Sequence, residues 1–302
     1  MSGKTADIWW IFTRQTVTVA RDQPVLNAIK LMVRRGFRHL PVTDAEWELV
    51  GMLSAQDVMH LIHSTIASTK KDADKGTALL KGLSKQVEGI MTKDPAYGEH
   101  TQSLLDSITM MTEKGLSALP LIDPERKVQG IVTLRDLVFL MGQGAGRLGV
   151  KVHEIMTSKP FFLAPSDTIL DAIAIMATKK VRRVPISSDS GKSYVGMVTN
   201  KDTMRLLDSA YSYRVMRPEE AFRLKLSQVM DTGFGTIGAN EDIRTAAWNM
   251  MTLGFGGLIA MNDFPGLITE RDLILRTHKL KGPEFLRMAI RPQDDTSDRP
   301  SW

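Results

Sequence analysis

Apolar positions along this chain switch repeatedly between two periods, first strand-like and then helical. The stretches Thr16-Val-Thr-Val19 and Phe161-Phe-Leu163 read as extended segments. A helical spacing follows: Val25, Ala28, Ile29 and Met32 in the first instance, then Leu104, Ser107, Ile108 and Met111. It recurs at Ile169, Ala172, Ile173 and Met176, and at Ile243, Ala246, Ala247 and Met250. These helices are predicted to open at Pro24, Ser103, Thr168 and Asp242, residue types suited to a first turn or an N-cap. Gly36, Gly115 and Gly254 end three of them, with Lys180 in the equivalent place of the other. The Met that recurs in one slot reads as core packing by a flexible thioether.

The chain is therefore a repeat. Blocks 13–42, 92–121, 157–186 and 231–260 align without a gap. After each helix comes a short strand: His39-Leu-Pro-Val42, Ala118-Leu-Pro-Leu121, Arg183-Val-Pro-Ile186, and Gly257-Leu-Ile-Ala260, which lacks the Pro. A second strand then runs straight into a second helix. These segments are Gly51-Met-Leu-Ser54-Ala-Gln-Asp57, Gly130-Ile-Val-Thr133-Leu-Arg-Asp136, Gly196-Met-Val-Thr199-Asn-Lys-Asp202 and Gly266-Leu-Ile-Thr269-Glu-Arg-Asp272.

The expected fold is α/β (α+β), four strand-helix-strand-strand-helix units that bury their apolar sheet faces in pairs. The units span 8–65, 86–142, 151–209 and 225–277. A polar helical connection at 66–85 separates the first two, and a glycine-rich linker at 143–150 divides the chain into two modules. Residues 283–302 read as a flexible tail.

Cys is absent, which excludes disulfides, thiolate metal sites and Cys nucleophiles. Apolar runs are too short for a signal peptide or a membrane span, so a cytoplasmic location without membrane attachment is expected. The net charge of +5 favours anionic partners. Its densest cluster, Lys179-Lys180 with Arg182-Arg183, reads as one local anion-binding edge, or as a solvated face.

The Ser/Thr-x-x-Asp element has two readings. As a capping box it satisfies orphan N–H groups and places a carboxylate at the positive end of the helix. As a binding element it offers a hydroxyl and N–H groups to an anion and carboxylate oxygens to a ribose diol. Residue chemistry leaves both open. Gly144-Ala-Gly146-Arg-Leu-Gly149 matches a dinucleotide-binding pattern but follows an apolar helix instead of a strand, so it reads as linker. His60 and His63 lie at i, i+3 with no third metal ligand at a matching spacing, and paired carboxylates such as Glu219-Glu220 read as solvated.

Met91-Thr92, Met156-Thr157 and the four Gly-to-Asp heptads resemble the CBS domain over roughly residues 8–277. The resemblance implies pairing into Bateman modules, similar in architecture to the four-CBS regulatory gamma subunit of AMP-activated protein kinase. It implies adenosine-type ligands (AMP, ADP or ATP, or S-adenosylmethionine) in clefts between paired repeats. Carried over, the phosphate or ribose contacts are Ser54, Thr133, Thr199 and Thr269, and the ribose contacts are Asp57, Asp136, Asp202 and Asp272. The Thr preceding the first strand lines the same cleft, hence Thr13, Thr92 and Thr157, with Asp231 substituting in the fourth copy. The position two before the Pro, His39 and Arg183 here, is expected to meet phosphate with the adjacent Arg182. Enzymes of the family carry a separate catalytic domain, for which this chain has no room, and neither a metal nor a catalytic cofactor is expected.

The expected function is thus a non-enzymatic nucleotide sensor that transmits occupancy to a protein partner, with homodimerisation conceivable. Two alternatives remain. One is a nucleic-acid-binding regulator, suggested by the basic balance. The other is a ligand-free scaffold that docks a partner; Trp9-Trp10-Ile11-Phe12 is a candidate docking strip, with apolar edge packing on the first sheet the favoured reading.

Overall fold

The computed structural model describes residues 16–71, 74–212, 218–263 and 265–290. The first copy comprises β1 (Val19–Ala20), α1 (Val25–Arg35), β2 (His39–Thr43), β3 (Leu49–Ser54) and α2 (Ala55–Ser68), followed by α3 (Lys75–Leu83). The second has β4 (Thr92–Lys93), β5 (Gly98–Glu99), α4 (Leu104–Glu113), β6 (Ala118–Ile122), β7 (Val128–Thr133) and α5 (Leu134–Gln143). The third begins with α6 (Val152–Ile155) and continues through α7 (Ile169–Thr178), β8 (Arg183–Ile186), β9 (Gly196–Thr199) and α8 (Asn200–Ser212). Then come α9 (Pro218–Arg223), β10 (Thr236–Gly238), α10 (Ile243–Leu253), β11 (Gly257–Met261) and β12 (Gly266–Thr269). A π-helical turn over Asp272–Arg276 leads into α11 (Thr277–Lys281) and α12 (Pro283–Ile290).

Every copy builds the same register. The first extended segment pairs in parallel with the strand after the helix: Val19 with Val42, Gly98 with Leu121, Leu163 with Ile186 and Ile237 with Ala260. The hairpin then sets His39 opposite Ser54, Ala118 opposite Thr133, Arg183 opposite Thr199 and Gly257 opposite Thr269. The slot two before the Pro is thus held beside the hydroxyl of the capping element by strand pairing alone.

Helix boundaries follow local chemistry. Ser103 and Thr168 form capping boxes with Asp106 and Asp171, Asp242 accepts from the Arg244 N–H, and Pro24 starts α1 without a side-chain cap. The four stop positions all adopt positive φ: 71° at Gly36, 63° at Gly115, 54° at Lys180 and 72° at Gly254. The recurring Met side chains (Met32, Met111, Met176, Met250) are buried.

Two arrangements of copies result. Sheet-edge contacts join neighbours in sequence: Gly51 and Met52 pair with Lys93 and Thr92, and Glu48 bridges Lys127. Likewise Met197 bridges Asp231, and Thr157 bridges Leu267. The heptad glycines enable this closeness. A Cβ at Gly51, Gly196 or Gly266 would collide with Met91, Met230 or Met156, the residue just before the Thr or Asp of the neighbouring copy. The helices instead join alternate copies. One core is built from copies one and three, with α2 on α7, and the other from copies two and four, with α5 on α10.

Two segments are more ordered in their packing than expected. The 66–85 connection is amphipathic, with Leu79 and Leu83 of α3 fully buried, because α3 packs against α2. Residues 283–290 are α12, which buries Leu286, Ala289 and Ile290, so the tail expectation is corrected there. The glycine-rich stretch wraps the start of α10: Leu148 and Gly149 donate N–H groups to the Asp242 carboxylate. Those amides are thus already engaged within the protein.

Candidate functional site

All four Ser/Thr-x-x-Asp elements form the same construction. The strand residue donates both its hydroxyl and its backbone N–H to one oxygen, Oδ2, of the Asp. The hydroxyl bond is 2.7 Å in each copy (Ser54–Asp57, Thr133–Asp136, Thr199–Asp202, Thr269–Asp272). The backbone N–H bond is 2.7 Å in copies one and two and 2.9 Å in copies three and four. The capping reading is therefore realised, and it leaves Oδ1 as the oxygen on which the copies differ.

Asp57 and Asp136 are half-buried, and their Oδ1 atoms carry no further ion pair or hydrogen bond among the described residues. Asp202 Oδ1 has Arg205 at 3.7 Å. Asp272 is buried, and Arg276 Nε lies 2.9 Å from its Oδ1. The same guanidinium donates to the Ile155 carbonyl at 2.9 Å and to Thr157 Oγ1 at 3.0 Å. Arg276 thereby joins Asp272 of the fourth copy to Thr157, the Thr expected to line the cleft of the third. Burial raises the Asp57, Asp136 and Asp272 carboxyls, outweighing the hydrogen bonds that favour their ionised forms. Asp136 is pushed further by the neighbouring Glu270 charge.

The expected residues converge unevenly. Thr133, Asp136, His39 and Arg182 line one cavity of about 160 Å³, together with Thr16, Arg38 and Glu270. Copy one thus places Arg38 and His39 in the same cavity as the carboxylate of copy two. Thr92 is exposed and lies beside Met52 at the edge of β3. Thr199 and Asp202 sit across the Met197–Asp231 bridge from the start of copy four. Thr13 falls outside the described residues, as does the Trp9–Phe12 strip.

The basic edge turns inward. Lys179 remains exposed over the Phe161 ring, but Arg182 and Arg183 are half-buried. Arg182 Nη2 lies 3.4 Å from His39 Nε2, and Arg183 Nη1 donates to the Gly256 carbonyl at 2.6 Å. Burial first, then repulsion from Arg38, lowers Arg182 to about 10; burial likewise leads for Arg183, also at about 10. His39 is held well below its usual value by burial and by Arg182 and Arg38. It is therefore neutral at pH 7 and acts as a hydrogen-bonding group, not as a second positive charge.

Three participants were missed in the sequence. Glu270 is buried and accepts from Arg38 Nη2 at 2.6 Å, while Arg135 Nη1 lies 4.0 Å from its other oxygen. Burial alone would raise its pKa, yet Arg38 and Arg183 bring it below the usual value. The second participant is the residue before the Asp, which in copies one, two and four donates to the end of a helix in the alternate copy. Gln56 donates to the Met176 carbonyl, Arg135 to Gly254 and Arg271 to Gly115. Positive or dipolar donors at helix C-termini are favourable. The third is a cavity of about 500 Å³ between α5 and α10, walled by Phe139, Trp248, Met251 and Phe255 and sharing Arg135, Asp136 and Glu270 with the first.

Comparisons with known proteins agree with this construction. The CBS domain family model matches residues 6–64, 87–142 and 152–209, more than half of the chain. The fourth copy, outside those matches, is the one without the Pro and the Thr, and its second helix opens with a π-turn. An uncharacterised 33.4 kDa protein in a ribosomal RNA operon of Thermofilum pendens is 31% identical over 280 residues, covering 88% of this chain and 89% of that protein. An uncharacterised Methanocaldococcus jannaschii protein, MJ1404, is 25% identical over 307 residues, 93% of this chain and 67% of that one. The crystal structure of MJ1225 from Methanocaldococcus jannaschii, described as a candidate archaeal homologue of g-AMPK, superposes with a TM-score of 0.76. It is 19% identical and covers 89% of this chain and 99% of its own. Three copies matched by the family model over more than half of the chain, and a fourth built in the same register, place this chain in the CBS-domain family.

Proposed function

We propose that this protein is a non-enzymatic regulatory subunit that binds adenosine-type nucleotides (AMP, ADP or ATP) in clefts between paired CBS repeats and conveys their occupancy to a protein partner. The single observation that carries the reading is the carboxylate of Asp136. One oxygen is anchored by Thr133, and the residue lines a cavity that Arg38 and Arg182 also line. A carboxylate oxygen for a ribose diol, with guanidinium groups for phosphate in the same cavity, is the division of labour a nucleoside phosphate requires. Asp57 is anchored in the same way in copy one. Asp272, closed by Arg276, is proposed not to bind, and Asp202 to bind less readily than the first two.

Copies 8–65 with 86–142, and 151–209 with 225–277, are proposed as the two modules. The strand-edge bridges and the Gly–Met interlocks within each pair support this. No helix among the described residues is long and apolar enough to cross a membrane, which is compatible with the proposed cytoplasmic setting. Arg182 and Arg183 turn away from the surface, which weakens the nucleic-acid alternative.

The cavity of about 160 Å³ is smaller than the roughly 300–1,000 Å³ usual for a small-molecule site, but the one of about 500 Å³ that shares Arg135, Asp136 and Glu270 with it is not, so a nucleotide held by Asp136 would span both and bear on groups from all four copies. Occupancy would thereby change the relation between copies, and only a difference in affinity between the two arrangements is needed to couple the site to a partner. The test is a thermal-shift panel on nucleotide-free protein with AMP, ADP, ATP, S-adenosylmethionine, NAD and guanine nucleotides. Adenosine ligands at about a hundred times their Kd should stabilise by ~2.7 kcal/mol, a shift of several degrees that Asp57→Asn with Asp136→Asn abolishes. A flat panel would refute the reading in favour of a ligand-free scaffold.

A further inference from the structure

Glu270 stands where the four copies meet. Its slot, the first after the Ser or Thr of the heptad, is buried in every copy and holds Ala55, Leu134 and Asn200 in the other three. The fold therefore has no general need of a carboxylate there. In copy four the carboxylate is matched by guanidinium groups from all three of the others: Arg38 from copy one, Arg135 from copy two and Arg183 from copy three.

The surroundings are shaped for this meeting. Gly256 lies beneath it; a Cβ at that position would stand 2.9 Å from Glu270 Oε1 and would collide with Arg183 Nη2. The Glu270 N–H is bonded to the Gly256 carbonyl at 3.2 Å, so the backbone is tied at the same point. Arg38, Arg135 and Arg183 share the Glu270 carboxylate, with Arg182, Asp136 and Asp272 also within electrostatic reach, so guanidinium groups outnumber carboxylates four to three. Arg38, Arg182 and Glu270 all face the cavity that holds Asp136.

We infer that Glu270 is a resident counter-ion occupying an anion seat at the centre of the four copies, and that it acts as a specificity determinant: ligands are selected for a phosphoryl group that displaces it from Arg38. A single carboxylate meets the surplus of guanidinium groups incompletely. A phosphoryl group, carrying more charge and three acceptor oxygens, meets it better. Displacement also breaks the Arg38–Glu270 link between copies one and four, which share no core, so the phosphoryl group and not the nucleoside releases that link. This deepens the nucleotide reading by naming which part of the ligand is discriminated, and it rests on that reading only for the nucleoside half.

The experiment titrates inorganic pyrophosphate, AMP and adenosine into the full-length wild type, Glu270→Gln and Arg38→Ala by isothermal calorimetry. Glu270→Gln should bind pyrophosphate and AMP on the order of tenfold tighter, as expected when one competing charged contact of about 1.4 kcal/mol is removed, and adenosine unchanged. Arg38→Ala should weaken pyrophosphate by a similar factor. Glu270→Leu, which restores the residue of copy two, should behave like Glu270→Gln if the amide variant folds poorly. Pyrophosphate affinity that is unaltered by the Glu270 variants, or unaltered by Arg38→Ala, overturns the inference. Failure of adenosine and AMP to bind, with the pyrophosphate response intact, would sink the nucleotide reading alone and leave the anion seat standing.

Discussion

Lys180 is the one stop residue of the four that carries a side chain, and it offers a clean measure of what the left-handed position costs. Its φ of 54° is close to those of Gly36, Gly115 and Gly254, so copy three builds the same turn as the others against a steric penalty. For an L-residue that penalty is roughly 1–2 kcal/mol. Replacement by Gly relieves it but adds freedom to the unfolded chain, which costs back about 0.4–1 kcal/mol. The Lys180 side chain is exposed, so little packing is lost. Lys180→Gly should therefore stabilise the protein by about 0.5–1 kcal/mol, equivalent to ~1–3 °C in a chain of this size. The converse substitution calibrates the estimate. A Cβ on Gly254 would meet nothing within 4 Å, so Gly254→Ala carries the conformational penalty without a clash and should destabilise by about 1 kcal/mol. Urea unfolding followed by circular dichroism would measure both, with unchanged m-values as the check that the transition is the same one. A neutral or destabilising Lys180→Gly, beside a destabilising Gly254→Ala, would refute the reasoning, because the two cannot then share a conformational cause.

Three further expectations concern the site and its support. The Asp136 carboxyl is raised by burial and by Glu270, so on acidification it protonates and loses its acceptor character at a higher pH than an ordinary aspartate; AMP affinity should begin to fall there, and Asp136→Asn should show a weaker but flat profile by calorimetry at stepped pH. Arg276→Ala removes three contacts and frees both Asp272 and Thr157; it should cost about 1–2 kcal/mol in urea unfolding and add a nucleotide equivalent to the calorimetric stoichiometry, and an unchanged stoichiometry would show that something else closes this cleft. Leu79→Ala in α3 should cost roughly 2–4 kcal/mol, because the side chain is fully buried, and a loss under 1 kcal/mol would mean that α3 is dispensable to the core.

The unit was legible because its signals are local. A cap, a helical period, a stop residue and a hairpin recur in register, and each is decided by neighbours along the chain. The Met slots and the four capping boxes follow from the same local rules. Assignment of partners was less accessible, since the apolar faces of α2, α5, α7 and α10 look alike and nothing in their composition says which two meet. The sheet-edge contacts of sequence neighbours rest on a Gly in one copy accommodating a Met in the next, a complementarity between residues about 30 to 110 positions apart, while the helices pair alternate copies with no such local mark. Glu270 and Arg276 were overlooked for a related reason. Each is an ordinary charged residue in a helical sequence, and its role exists only where separate copies converge. Comparison of the four heptads would have exposed Glu270, as the sole acid in a slot otherwise filled by Ala, Leu and Asn.

The alternation of the two cores bears on how the chain is made. Copies one and two supply half of each core, and the other halves lie beyond the glycine-rich stretch. During synthesis, then, the first half of the protein emerges with the apolar faces of α2 and α5 both uncovered. At about 5–20 residues per second the complementary half follows roughly 8–30 s later. For that interval the nascent chain carries two half-finished helical surfaces that match those of any other nascent copy nearby. Release at this point would favour self-association between half-chains, so the order of synthesis makes the second half act as the intramolecular chaperone of the first.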